Sequence, residues 1–389
     1  MKPRPEQVSD ESTASAERTG VRGVFRESFG ELVERIADEA DEGLFHSAAQ
    51  LTVRRDGEIL VDVATGRTHR HEPYSTDTLA SLYCTAKPII AVAVLRLVAE
   101  DELSLDDRLG DVVDSLSTPW IAERTVAEVL NHTAGLHAVN TVLARVLPPS
   151  LRVDWLHASE PPSVWRFGLD RAYAEFGGWF LLGEAIESLT GEPFDAYCRR
   201  AVLEPYGVDP DDLWLRVAPG DYPQVAPRIS VTYDLTLDQP VPLLAEAGPE
   251  TAGEWNPAFG AYGCTSAMSV FYEGLLADLD GADRVLPVDL LADATRARLP
   301  ITHDVTLGRE AGFGLGFMVP LSTHVFGRRP SEAAFGHAGQ GGTSFAFADP
   351  ERHVSVGVLF NAGLDADTGL TFRRVTLVDS IYRALDSTD

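Results

Sequence analysis

The segment running from Ser81 to Asp107, SLYCTAKPIIAVAVLRLVAEDELSLDD, constrains this chain most. It sets a cysteine and a lysine three residues apart at the start of an almost unbroken apolar stretch of helical pattern. A helix that is apolar on every side has to be buried. Residues three apart lie one above the other, so Cys84 and Lys87 share a face at the mouth of that helix and can touch. Both residue types are scarce, Lys2 being the only other lysine and Cys198 and Cys264 the only other cysteines. A thiol at a helix N-terminus beside a cation has its thiolate favoured by the dipole and by the charge. A desolvated, neutral lysine would instead take the thiol proton as a general base. Either route makes Cys84 an acyl acceptor. The bland alternative, a small buried cysteine beside a solvated charge, is not eliminated by the spacing alone.

Composition narrows the partners. A chain of 389 residues with 44% apolar side chains and six tryptophans can fill a large core. The 59 acidic residues outweigh 32 basic ones, and the formal charge of -27 repels nucleic acid and anionic membranes. No apolar run reaches the roughly 18 residues a bilayer span needs, and MKPRPEQVSDESTASAERTG has no signal-peptide core, so a cytoplasmic location is expected. The three cysteines lack CxxC spacing and the histidines lack metal-ligand spacing. Free thiols, no metal and no nucleotide cofactor are the expectation.

Along the chain, residues 1–20 read as a disordered tail. Phe25, Phe29, Leu32, Val33 and Ile36 recur at helical spacing and predict a helix over 23–41. AAQLTVRRDGEILVDVATG predicts two strands around Asp56-Gly57. From Lys87 to about Gly191 the pattern is mainly helical, and residues 204–260 form a Pro-, Gly- and Asp-rich loop region. GLGFMVP, TSFAFADP and HVSVGVLFN read as strands, followed by a helix carrying Val375, Val378, Ile381 and Leu385. The fold class is therefore α/β (α+β). An antiparallel sheet built from both termini (21–87 and 260–389) is flanked by N- and C-terminal helices, with a mainly helical domain and its pocket loops (88–259) inserted.

CTAKPIIAVAVLRLVAEDELSLDDRL, VAEVLNHTAGL, YAEFGGWFLLGEAIESLTGEPFDAYCRRAVLEPYGV, GFGLGF and FGHAGQGGTSFAFADPERHVSVGVLFN together resemble, in order over residues 25–386, the serine β-lactamase-like superfamily. That superfamily comprises class C β-lactamases, penicillin-binding proteins, and related esterases and transacylases. The resemblance implies that Cys84 is the nucleophile, standing where the family's Ser-x-x-Lys motif has serine, and that Lys87 is the general base. It implies that Tyr173 matches the tyrosine of Tyr-x-Asn, which relays protons. His337-Ala338-Gly339 matches the third motif, Lys-Thr-Gly or His-x-Gly, and the backbone N–H groups of Cys84 and Gln340 would form an oxyanion hole. NHTAGL reads as a supporting turn. Gly339 and Trp255 are expected to border the substrate, as is Glu175, which replaces the motif's asparagine; its carboxylate near Lys87 would favour the charged amine.

The expected function is acyl transfer through an acyl-Cys84 intermediate. Its donor is a small-molecule ester, thioester or amide, and its acceptor an amine, a hydroxyl or water. The alternatives are a serine-type hydrolase in which Cys84 is an engineered substitution, and a non-catalytic binding protein of the same fold. The sequence carries no reading of oligomeric state.

Overall fold

At Asp56-Gly57 both residues take positive φ (52° and 84°), the geometry a tight hairpin demands. Strands therefore run out from either side of it. The computed structural model describes residues 13–15, 20–139, 147, 149–236, 240–243, 248–365 and 369–388. Its main sheet comprises β1 (Thr13–Ser15), β2 (Arg22–Arg26), β3 (Ala48–Arg55), β4 (Glu58–Gly66), β5 (Phe335–Ala338), β6 (Ser344–Asp349) and β7 (Val354–Phe360). The spatial order is β1-β2-β4-β3-β7-β6-β5, with every neighbour antiparallel. The two ends of the chain meet where β3 pairs with β7, Leu51 opposite Val358 and Val53 opposite Val356. This is the sheet built from both termini that the sequence predicts.

Alternation along the strands decides what covers each face. Leu51, Val53, Phe345, Phe347, Val356 and Val358 point to one side, where α1 (Gly30–Glu42) and the C-terminal helix, Thr371–Asp386, bury Leu32, Val33, Ile36, Leu377, Val378 and Ile381 against them. The other face carries Gln50, Thr52 and Gly357 and receives the helix Thr265–Leu279. Thr265 N donates to Gln50 Oε1 at 3.2 Å, and the Thr52 and Thr265 hydroxyls lie 2.7 Å apart. A Cβ on Gly357 would lie 2.5 Å from Thr265 O, so this approach requires glycine. The helix announced by the Cys84 segment is α2 (Lys87–Ala99), buried without a break from Lys87 to Leu95. It packs in one apolar core with α3 (Gly177–Thr190), whose end is fixed by Gly191 at φ 68°. Thr265–Leu279 is α4 and Thr371–Asp386 is α5 below.

Three local expectations are corrected. The helix predicted over 23–41 begins only at Gly30, because Val24 and Phe25 find ladder partners in β4 (Asp62 and Val61). Gly23, at φ 119°, brings the chain so close that a Cβ would sit 2.0 Å from Asp62 O. GLGFMVP is not a strand: Phe313 bridges Met318 across a tight glycine-rich bend, and the sheet edge is β5 instead. Of the segment expected to be a tail, Thr13–Ser15 pairs with β2, while residues 1–12 and 16–19 lie outside the described residues. Among the described residues no helix is long and apolar enough to cross a membrane.

Candidate active site

Cys84 sits in a 3-10 turn, Tyr83–Ala86, that leads directly into α2. Tyr83 holds φ 47°, an unfavourable left-handed conformation for a bulky residue. The surrounding bonds hold it there. Ala80–Ser81 pairs with Tyr262–Gly263, and Leu82 N donates to Ala261 O at 2.9 Å. From the sheet, Ser344 Oγ donates to Leu82 O at 2.7 Å and lies 2.8 Å from Thr85 Oγ1. The end of β5 closes over the same turn, where a Cβ on Gly339 would come 2.2 Å from Ser344 Oγ and 3.0 Å from Leu82 O. Only glycine fits there, which is the structural meaning of the third residue of His337-Ala338-Gly339.

Within this frame Lys87 Nζ donates to Cys84 Sγ at 3.0 Å and to Ala258 O at 2.9 Å. The lysine is fully buried and Cys84 is 3% exposed. Nζ also lies 5.7 Å from the Tyr173 ring centre and 5.5 Å from that of Trp179, within cation–π range. A buried amine needs such polar and aromatic partners in place of water.

Tyr173 arrives from a distant part of the chain. Its N–H donates to Asp304 Oδ2 at 2.8 Å, and its ring stacks on Phe313 at 5.9 Å. His337, on β5, has its ring centre 5.9 Å from that of Tyr173. It is fully buried, and its Nε2 has no hydrogen-bond partner among the described residues. Burial, and after it the Lys87 charge, push the His337 pKa well below the ordinary histidine value, so the ring is neutral at physiological pH. The structure thus brings Cys84, Lys87, Tyr173 and His337 to one place.

Two further groups belong to this cluster and escaped the sequence reading. His132, from the NHTAGL turn, holds φ 63° and accepts through Nδ1 from Ala174 N at 3.1 Å, while its carbonyl accepts from Ala172 N at 3.1 Å. Both chain neighbours of Tyr173 are therefore tied to one histidine, whose ring lies 4.8 Å from the Tyr173 ring and 4.6 Å from Phe313. With Nδ1 accepting, Nε2 carries the hydrogen. Burial first and Lys87 second hold this imidazole neutral as well. The other group is a backbone carbonyl, Ala258 O, aimed at Lys87 by a turn in which Asn256 Oδ1 accepts from Ala258 N and Phe259 N at 3.3 and 3.1 Å.

Gln340 opens a short turn, Gln340–Gly342, in which Gly341 and Gly342 take φ 58° and 65°. Arg373 on α5 braces this turn from beneath, donating through Nη2 to Gly342 O at 2.9 Å and Ala362 O at 3.0 Å. Glu175 is half-buried two residues beyond Tyr173, while the Lys87 hydrogen bonds run to Cys84 and Ala258. Trp255 stands differently from the pocket wall expected of it. Its indole donates to Glu187 Oε1 at 2.7 Å and meets Phe180 and Phe194 edge-on at 5.1 and 5.7 Å, so it packs among the helices behind the Ala258 turn.

An antiparallel sheet covered by helices on both faces is the architecture of penicillin-binding-protein-like and β-lactamase-like folds. A model of the family described as Beta-lactamase matches residues 33–379, and the chain belongs to that family. Esterase EstB of Burkholderia gladioli is 31% identical over 190 residues, 40% of this chain and 44% of the esterase, so the match spans less than half of that relative. A penicillin-binding protein homologue from Caulobacter crescentus superimposes with a TM-score of 0.75 at 24% identity, covering 94% of this chain and 99% of the other. EstCE1, described as a hydrolase with promiscuous acyltransferase activity, superimposes with a TM-score of 0.72 at 19% identity, covering 92% and 99%.

Proposed function

We propose that this protein is an acyl-transfer enzyme that works through a thioester on Cys84. The observation that carries the reading is the 3.0 Å contact between Lys87 Nζ and Cys84 Sγ at the mouth of α2, beside Tyr173 and His337. The sulfur gives up its proton through Lys87 and attacks the carbonyl carbon of an ester, thioester or amide, forming a C–S bond. The carbonyl oxygen takes the negative charge and is met by the N–H groups of Cys84 and Gln340, each such donor supplying about 3 kcal/mol in comparable sites. The Tyr173 phenol hands a proton to the departing alcohol, thiol or amine as the carbon–heteroatom bond breaks. An amine, hydroxyl or water then attacks the thioester carbonyl. Its proton leaves by the same phenol, and the Cys84 thiol is restored.

His337, kept neutral, serves this scheme as a polar wall for the substrate rather than as an acid. A thioester reacts readily with amines relative to water, which supports transfer over hydrolysis. The likeness to the esterase EstB and to EstCE1, a hydrolase with promiscuous acyltransferase activity, supports the same reaction class. Incubation with a panel of activated esters and thioesters, followed by intact-protein mass spectrometry, tests it. An acyl mass increment is expected on the wild type and none on C84A. A wild type that stays unmodified by every donor would leave a binding protein of this fold.

A further inference from the structure

The Cys84 cluster does not account for a second concavity at the same end of the sheet. Two adjoining cavities, of about 460 and about 430 Å³, share His69 and Tyr233 as a common wall. Arg22, Arg67 and His71 line the first and Arg70 the second, and Asp41 is the one carboxylate residue in either wall among the described residues. The three guanidiniums are held by carbonyl oxygens. Arg22 Nη1 donates to Gly20 O and Tyr74 O at 3.0 and 3.3 Å, Arg67 Nη1 to His71 O at 2.9 Å, and Arg70 Nη2 to Ala226 O and Ile229 O at 2.6 and 2.8 Å. Among the described residues none of the three forms an ion pair with a carboxylate. Carbonyls fix a guanidinium without neutralising it, so the groove presents preorganised positive charge. On a chain of formal charge -27, such a focus of positive charge draws an anion to one place.

The groove is also close to the proposed oxyanion turn. Tyr233 N donates to Asn361 O at 2.8 Å, Ala362–Gly363 runs alongside Tyr233–Asp234, and Leu364 N donates to Gly341 O at 2.9 Å. Two backbone spacings of about 4.8 Å each separate Tyr233 from Gly341, which puts the groove wall on the order of 10 Å from that turn.

We infer that this groove holds an anionic arm, phosphate- or carboxylate-bearing, of the acyl donor whose carbonyl lies at Cys84. The inference rests on the acyl-transfer reading. It is tested in two arms, the first of which does not need chemistry. Inorganic pyrophosphate titrated calorimetrically into C84A is expected to bind saturably at low salt with Kd below about 1 mM. Binding should weaken at least about tenfold when R67E and R70E are added, and also as salt is raised. No saturable binding, or binding indifferent to both charge reversals, overturns the groove as an anion site.

The second arm separates a donor-borne anion from free phosphate. One acyl group is supplied as a thioester of coenzyme A, whose thiol bears phosphates, or of uncharged N-acetylcysteamine, and the rate of Cys84 labelling is followed by mass. R67E/R70E is expected to slow labelling by the phosphorylated donor at least about tenfold and leave the neutral donor within about twofold, which also reports an intact fold. Equal effects on both donors overturn the donor-arm assignment even where pyrophosphate binds. If neither thioester labels Cys84 and the panel of activated esters and thioesters fails as well, the acyl-transfer reading fails, and the first arm still decides separately whether the groove binds anions; if only the panel labels Cys84, the donor-arm assignment is overturned.

Discussion

Lys87 is held by a sulfur, a carbonyl and two aromatic faces, with no solvent around it. Replacing it with methionine keeps the volume and removes both hydrogen bonds. Acylation of Cys84 at neutral pH is expected to fall by about 10²–10⁴-fold in single-turnover labelling, the range a positioned proton acceptor supplies. The partner effect at Tyr173 is positional. His132 accepts from Ala174 N and packs its ring on Tyr173, so H132A frees the phenol to shift without touching substrate. A displacement of about 1 Å costs on the order of 10² in rate. For H132A, kcat is expected to fall with KM little changed, and a fall confined to KM would contradict the positioning role. The Cys84–Lys87 pair is legible because its spacing is local, three residues from the 3-10 turn to the first residue of α2. His132 was not, because the relation that matters spans 42 residues and ends on a backbone amide. Ala258 O was invisible for a similar reason: any residue type can supply a carbonyl.

At the scale of elements, the site depends on how tightly β5 and β6 close over the Cys84 turn. A Cβ at Gly339 would lie 2.2 Å from Ser344 Oγ, closer than real Cβ contacts, and a tight 3.0 Å from Leu82 O. G339A is therefore expected to push the edge strand off the turn, lowering the Cys84 labelling rate and shifting thermal unfolding downward by about 1–3 kcal/mol of stability, the usual cost of overpacking. Adding S344A removes the nearer of the two obstructing atoms and should restore part of the lost stability. A double variant no more stable than G339A would refute that account of the glycine. The strands of the sheet centre were readable from alternation and from the Asp56-Gly57 turn. The edges were less so. Phe25 and Phe29 fit both periods, so β2 reads in the sequence as the start of a helix, and GLGFMVP has strand composition but glycines that fold the chain back on itself.

For the whole molecule, the two covered faces of one sheet leave several imidazoles with no access to water. His46 and His324 have their pKa pushed down to about 3, by burial first and by nearby arginines, and His132 and His337 are likewise held well below the ordinary value. The unfolded chain takes up protons near pH 6.5 that the folded chain refuses, so each of these groups favours unfolding as pH falls below about 6.5, by up to about 1.4 kcal/mol per pH unit. The urea midpoint is expected to drop steadily from pH 7.5 to pH 5. Replacing buried His324 with glutamine, which does not titrate, should flatten the slope; an unchanged slope would show that these histidines are not buried as neutral rings.

The central claim is that Cys84 is an acylated nucleophile served by Lys87, and C84S tests it most directly beside C84A. Intact-mass labelling and product analysis with one thioester donor, in the presence of an amine acceptor, should show acyl-enzyme and amide product for the wild type. The serine variant should acylate more slowly, with its product shifted towards hydrolysis, and the alanine variant should do neither. Faster turnover by C84S than by the wild type, or acyl transfer that survives in C84A, would contradict the account.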